Sequence, residues 1–362
     1  MTLRYHKELD GVRGIAALMV MYFHFCEGVR ATKDGLINFL VKTSVFGQTG
    51  VILFFVLSGF LITRILLASK ENRNFFKSFY IRRSLRIFPL YYVGLCIYIF
   101  VAPLIANTTT VSLKLSWPYW IYLQNYCMTF RLPITGPPHY WSLAVEEHFY
   151  LFWPLLVYYL STAKLLKTIY ALIITAIIVR IILTYKGFNV FYFTFSTMDA
   201  LAIGAILAIK EKTVGKASKG NNAYTITLFL IFVALTILWL FAGGKGIFVI
   251  QAIKGTLIAT VYYFLLLIVT NFNRNNILNH FLITKPLLFT GKISYGLYVY
   301  HIICYSFYLK YFNSSYFLFN LLGCFISSYI VASVSYFTFE VRFIALKERF
   351  SKTSAERRMI AV

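Results

Sequence analysis

Acidic residues are scarce in this chain. Only 12 of its 362 residues are Asp or Glu, against 35 Lys and Arg, and charged residues of every kind make up 13%. A soluble domain carries about a quarter of its residues as charges. Half that supply argues against a water-solvated globule. Cysteine is also sparse: Cys26, Cys96, Cys127, Cys304 and Cys324 are scattered, with no Cys-x-x-Cys pair. That speaks against a disulfide framework and a thiolate metal site. No His-Glu-x-x-His spacing is present, so no metal is expected. There is no repeat of fixed period, which removes solenoids. The opening MTLRYHKELDGVRG has no cleavable-signal pattern. The net charge of +23 would fit nucleic acid, but no nucleic-acid motif accompanies it.

What is abundant is apolar. Hydrophobic residues reach 59% and aromatics 19%, and the mean hydropathy is +0.72. A bilayer crossing takes about 20 apolar residues. Ten stretches qualify, at roughly 11–29, 47–69, 87–106, 141–160, 168–186, 193–210, 223–242, 248–270, 287–310 and 315–338. The expected fold is an all-α polytopic membrane bundle of about ten transmembrane helices. Basic residues gather in alternate connections: Arg64 to Arg86 after the second stretch, Lys210 to Lys219 after the sixth, and Arg342 to Arg358 at the end. The positive-inside rule then puts both termini in the cytoplasm of a multi-pass plasma (inner) membrane protein. One transmembrane domain over 1–340 and a short basic tail over 341–362 are expected, with lipid as a partner. No further catalytic domain is expected after the tail. The long outer segment 107–140 would lie on the membrane or form a mouth.

A buried ionisable group costs at least about 2.5–3.5 kcal/mol on insertion scales, so such groups persist when paired or when they work. Arg13 and His24 are eleven residues apart, about 20° beyond three turns, and share a helix face about 16 Å long. Asp10 is placed to pair with Arg13. Glu146 and Glu147 enter the fourth stretch from outside, and Asp199 and His301 sit at comparable depth. A His-and-carboxylate cluster there could do acid–base work on a hydroxyl. Arg83 and Arg86 share a face at the cytoplasmic side and, with Arg13, make a pocket for phosphates. Arg82 reads as a topology charge. Phosphate binding inside and proton exchange further out fit acyl-coenzyme A as a co-substrate, with no bound cofactor. Ser58 reads as a packing residue, since no Gly-x-Ser-x-Gly elbow surrounds it.

Six pieces in order carry a resemblance. They are Leu9-Asp10-Gly11-Val12-Arg13-Gly14 with His24, the run Gly50 to Ile62, Arg83-x-x-Arg86, Trp141 to Tyr150, Met198-Asp199-Ala200-Leu201, and Gly291 to His301. Together they resemble the membrane acyltransferase-3 superfamily over nearly the whole chain. The resemblance implies about ten helices and transfer of an acyl group, often acetyl, to envelope glycans, secreted polysaccharides or small glycosides. It implies essential roles for Arg13 and His24 and importance for Arg83 and Arg86. This chain departs from many members in having His148 in place of Gln and Ile52 in place of a polar or acidic residue.

The reading is a membrane-bound O-acyltransferase using acyl-coenzyme A and a carbohydrate hydroxyl. His24, Glu147 and Arg13 are the catalytic candidates, and Arg13, Arg83 and Arg86 hold the donor. Glu146, Asp199, Tyr150 and His301 are acceptor or supporting residues. His24 is read as general base, transient acyl carriage being the competing role, and Glu147 as the group that orients His24 or the acceptor. The rival reading is a transporter or flippase, which calls for inverted repeats and helices broken at midplane. Neither is evident in the sequence.

Overall fold

A computed structural model describes residues 5–29, 34–106, 112–214, 222–241, 248–271 and 276–349. The tail from 350 onward, the basic residues Arg30, Lys33, Lys216 and Lys219, and the connection 242–247 lie outside them. Among the described residues there is helix and no strand. Ten long helices occur: α1 Glu8–Glu27, α2 Gly50–Ser69, α3 Phe75–Cys96, α4 Trp141–Tyr159, α5 Thr162–Tyr185, α6 Thr194–Val214, α7 Asn222–Phe241, α8 Phe248–Asn271, α9 Lys285–Tyr311 and α10 Phe317–Ser335.

Each of the ten apolar stretches therefore has a helix, but six helical segments are long and apolar enough to cross a membrane on composition alone. Four fall short: α7 counts as a shorter apolar helix, Tyr224–Ile237, and α4, α6 and α9 carry polar residues the sequence singled out, namely Glu146, Glu147 and His148, then Asp199, then Lys292 and His301. Outward faces are apolar. On α10, Leu322, Ile326, Ile330 and Val334 recur every fourth residue and are all more than half exposed. In water such a stripe would be an aggregation hazard; against lipid it is the natural surface. The protein is a helical membrane protein.

Lipid tails give helices no hydrophobic reason to associate, so close packing must supply the attraction. Helices α2 and α6 make the most extensive contact in the molecule, and they do it through glycine. A Cβ on Gly59 would stand 1.9 Å from the Leu201 carbonyl oxygen, and one on Gly204 would stand 2.0 Å from that of Val56. Each helix thus lays backbone on the other's glycine. Beside this seam, Arg180 of α5 donates to Asp199 of α6 at 3.0 Å. Its remaining N–H groups reach the Ala252 and Ser196 carbonyls and the Thr256 hydroxyl. Arg180 and Asp199 are 3% and 1% exposed, so this pair satisfies two buried charges at once.

Residues 112–140 pack on the bundle through two short helices, Leu113–Trp120 and Gln124–Thr129. Gln124 donates to the Tyr140 carbonyl at 2.8 Å, the Tyr91 hydroxyl donates to the Tyr119 carbonyl at 2.7 Å, and Asn125 donates to the Thr194 hydroxyl at 2.8 Å. The segment plugs one end of the bundle because its backbone and amides find their partners there.

Candidate active site

Helices α1, α2, α3, α4 and α9 enclose a cavity of about 490 Å³. Arg13, Arg82, Arg83 and Arg86 line it together with Glu146 and Glu147, so four cations face two carboxylates. An anion entering here meets a surplus of positive charge inside a largely apolar wall of Val51, Phe54, Leu57 and Leu61. The arginines are held in different ways. Arg13 donates to Asp10 at 2.8 Å, one turn back on the same helix. Arg83 lies over the ring of Tyr150, 5.2 Å from its centroid, a cation–π contact that desolvation strengthens. Arg82 is tied to the Ser78 carbonyl at 2.9 Å. The Tyr150 hydroxyl pairs with that of Ser58, and Glu146 faces Arg83 and both hydroxyls.

The far wall of the cavity is Ser142 and Tyr298. The Tyr298 hydroxyl donates to the His139 carbonyl at 2.5 Å, so Ser142, also at 2.5 Å, must be the donor to it. Behind Tyr298 stand three imidazoles. Its ring centroid is 5.4 Å from that of His139 and 5.9 Å from that of His301. His24 Nδ1 lies 2.8 Å from His301 Nε2, with the rings stacked at 5.0 Å. His139 meets His301 edge-on at 4.9 Å.

The tautomers follow from the partners. His301 Nδ1 sits 2.8 Å from the Tyr298 carbonyl and 3.0 Å from that of Leu297. Carbonyls only accept, so Nδ1 carries the proton. In the neutral ring Nε2 is then an acceptor, and His24 Nδ1 must donate to it. The lone pair of His24 is left on Nε2. Residue His301 thus does for His24 what a carboxylate does in many catalytic pairs: it fixes which nitrogen is basic.

All the expected residues except Asp199 therefore fall in two groups. Arg13, Arg83, Arg86, Glu146, Glu147 and Tyr150 share the cavity. His24 and His301 form a pair behind its wall. The expected contact between Glu147 and His24 is not made: among the described residues His24 has an imidazole partner, and Glu147 Oε1 is buried with no hydrogen bond. Glu147 instead interacts with Arg83 and Tyr92 of α3 and with Tyr295 of α9, two turns before the His301 that His24 meets. Asp199 is the anchor of Arg180, a supporting residue between α5, α6 and α8. Arg82 belongs to the cavity although it read as a topology charge, and Ser58 contributes its hydroxyl to the same lining. His139 was overlooked. Its signal was its place two residues ahead of Trp141, where a buried imidazole opens a helix that carries two glutamates. Of the two departures, Ile52 lines a second, smaller cavity, and His148 bonds the Thr194 hydroxyl at 2.7 Å.

Comparison with known proteins decides the family. The model of the acyltransferase domain family matches residues 6–337. The chain belongs to that family. As an acyltransferase it is an enzyme that moves acyl groups. It is 31% identical to the peptidoglycan O-acetyltransferase OatA of Listeria monocytogenes, over 82% of this chain and 49% of that protein. It is 24% identical to the O-acetyltransferase OatA of Staphylococcus aureus strain NCTC 8325, over 82% of this chain and 50% of that one. The acyltransferase thus spans about half the length of these curated relatives. No solved structure matches it.

Proposed function

We propose that this acyltransferase is a plasma-membrane O-acetyltransferase that carries an acetyl group from acetyl-coenzyme A to a hydroxyl of a cell-envelope or secreted glycan. The observation that carries the reading is the four-arginine cavity whose far wall is a single tyrosine away from a histidine of defined tautomer. In this reading about ten helices span the bilayer and both termini are cytoplasmic. The phosphates of the donor sit among Arg13, Arg83 and Arg86, which offer forked donors to phosphate oxygens, with Arg82 at the rim. The thin pantetheine arm runs along the apolar wall of α2 toward Tyr298. Its length is asked to cover the rise from Arg13 to His24, about 16 Å.

At the thioester, His24 Nε2 takes the proton of the sugar hydroxyl as its oxygen attacks the carbonyl carbon. The C–O bond forms, the C–S bond breaks, and the thiolate takes that proton back from the imidazolium to leave as coenzyme A thiol. The Tyr298 and Ser142 hydroxyls, whose protons are already given to the His139 carbonyl and to Tyr298, mark the wall that the thioester reaches. Names borne by the relatives, which act on peptidoglycan or as O-acetyltransferases, support acetyl and glycan as the two ends of the transfer.

The test is purified full-length protein in nanodiscs with acetyl-coenzyme A and a glycan acceptor. Thiol release is followed together with the acetylated product by mass spectrometry. The variant His24→Ala should lose about 10²–10⁴ in kcat and still bind coenzyme A. Arg83→Ala should raise KM for the donor. Wild-type protein that binds no coenzyme A overturns the donor assignment. Movement of intact saccharide across the membrane without thioester loss makes the protein a transporter.

A further inference from the structure

A second cavity, of about 260 Å³, lies on the other side of α2. Phe55 borders both cavities and meets the Trp141 ring at 6.0 Å, edge-on. Those two rings form the partition between them. The lining of the second cavity is mixed in a particular way. Trp141 packs against Phe191 at 4.6 Å and Tyr192 at 5.5 Å, both steeply inclined to it, so an aromatic corner forms one side. Gln48, Asn189, Gln251 and Lys254 supply polar groups on the others. An acyl chain would find eight polar side chains along this lining, Arg180, Ser196, Thr197 and Asp199 among them, at a cost. A phosphate would find Lys254 and Arg180 in the lining, but the guanidinium is already satisfied by Asp199, a carboxylate that lines the same cavity and repels an anion. A sugar ring presents apolar C–H faces and a girdle of hydroxyls. It suits an aromatic corner with amides that both donate and accept. The volume is just below the usual range for small-molecule sites, about 300–1,000 Å³, which fits one ring and not a chain.

Position agrees with chemistry. Gln48 belongs to the short helix Val45–Gln48, which lies hard against α1. A Cβ on Gly47 would stand 2.3 Å from the Met19 carbonyl oxygen and 3.0 Å from Phe23, the turn just before His24. Glu27, one turn beyond His24, is near enough to Tyr192 to act on it electrostatically. Trp141 follows His139 by two residues on the same chain. The cavity is thus at the His24 end of the bundle, on the opposite side of α2 from most of the arginine pocket.

We propose that this second cavity is a saccharide subsite, in which one neutral or N-acetylated ring of the acceptor rests against Trp141 and Tyr192 and bonds Gln48, Asn189 and Gln251. It rests on the glycan-acylating reading above and names where that acceptor is held. Ile52, in the floor, limits the substituent that can point inward.

The experiment is equilibrium binding to the full chain in detergent with no donor present. The probes are the β-1,4-linked N-acetylglucosamine tetramer and an α-1,4-linked glucose tetramer, followed by tryptophan fluorescence. At least one should bind. Tyr192→Ala and Gln251→Leu should each weaken that binding tenfold or more, while coenzyme A binding in the same samples stays as in wild type. Should Tyr192→Ala lower the melting temperature, the half-buried Gln251→Leu decides alone. Neither tetramer binding wild type, or unchanged affinity in Gln251→Leu, overturns the subsite. A chain that binds the tetramer and never acetylates any glycan overturns the transfer reading instead.

Discussion

At the scale of single residues, the point of interest is that a base can be set by another imidazole. His301 is wholly buried and spends its Nδ1 proton on two backbone carbonyls, so it has only a lone pair to offer His24. Removing it should leave His24 free to take the wrong tautomer. The variant His301→Ala is expected to retain donor binding and to lower kcat by about 10–100-fold, the usual cost of losing an orienting partner. Because His301 acts through His24, the pH profile of kcat should also shift; an unshifted profile with reduced protein stability would mark a packing role only. The sequence made Arg13, His24 and the glutamates legible because charge in hydrocarbon stands out against its surroundings. It did not reveal which partner each would choose. Glu147 and His24 looked matched by depth, yet depth fixes only one coordinate, and helix rotation, set by packing, decided the other two. His139 stayed hidden because it lies in the short helical turn Pro138–Tyr140 just ahead of the apolar stretch, where a histidine raises no flag.

At the scale of helices, glycine decides how close two backbones come. The α2–α6 seam rests on Gly59 and Gly204, each with the other helix's carbonyl where a Cβ would be. Neither helix can step aside easily. Arg180 binds α6 to α5 and α8, and α2 carries the partition between the two cavities. Gly204→Val should therefore cost at least about 1–3 kcal/mol, the range for overpacking. It should also lower coenzyme A binding although position 204 touches no ligand. Thermal unfolding in detergent, read beside donor titration, checks both. An unchanged melting temperature would mean the seam is looser than drawn. All ten helices could be located from apolar run length. The packing of 112–140 on the bundle could not. Its two short helices are held by side-chain-to-carbonyl bonds such as Gln124 to Tyr140, and these leave no periodic trace.

At the scale of the whole molecule, the bundle has two unlike ends. Arg82, Arg83 and Arg86 enter at one, and the imidazoles with the second cavity crowd toward the other. In the proposed topology the alternation of basic connections turns the arginines toward the cytoplasm. Single cysteines read it directly. Lys212→Cys should react with a membrane-impermeant maleimide only after permeabilisation, and Arg131→Cys should react in intact cells; the reverse pattern would invert the molecule and the reaction with it.

One consequence concerns synthesis. The imidazole pair joins residues 277 positions apart, one on α1 and one on α9, so α1 is made well before α9. Until α9 is inserted and has closed on α1, the first helix carries a histidine with no orienting neighbour. On the proposed mechanism a chain without α9 is inert toward thioesters, and competence arrives when α9 docks against α1.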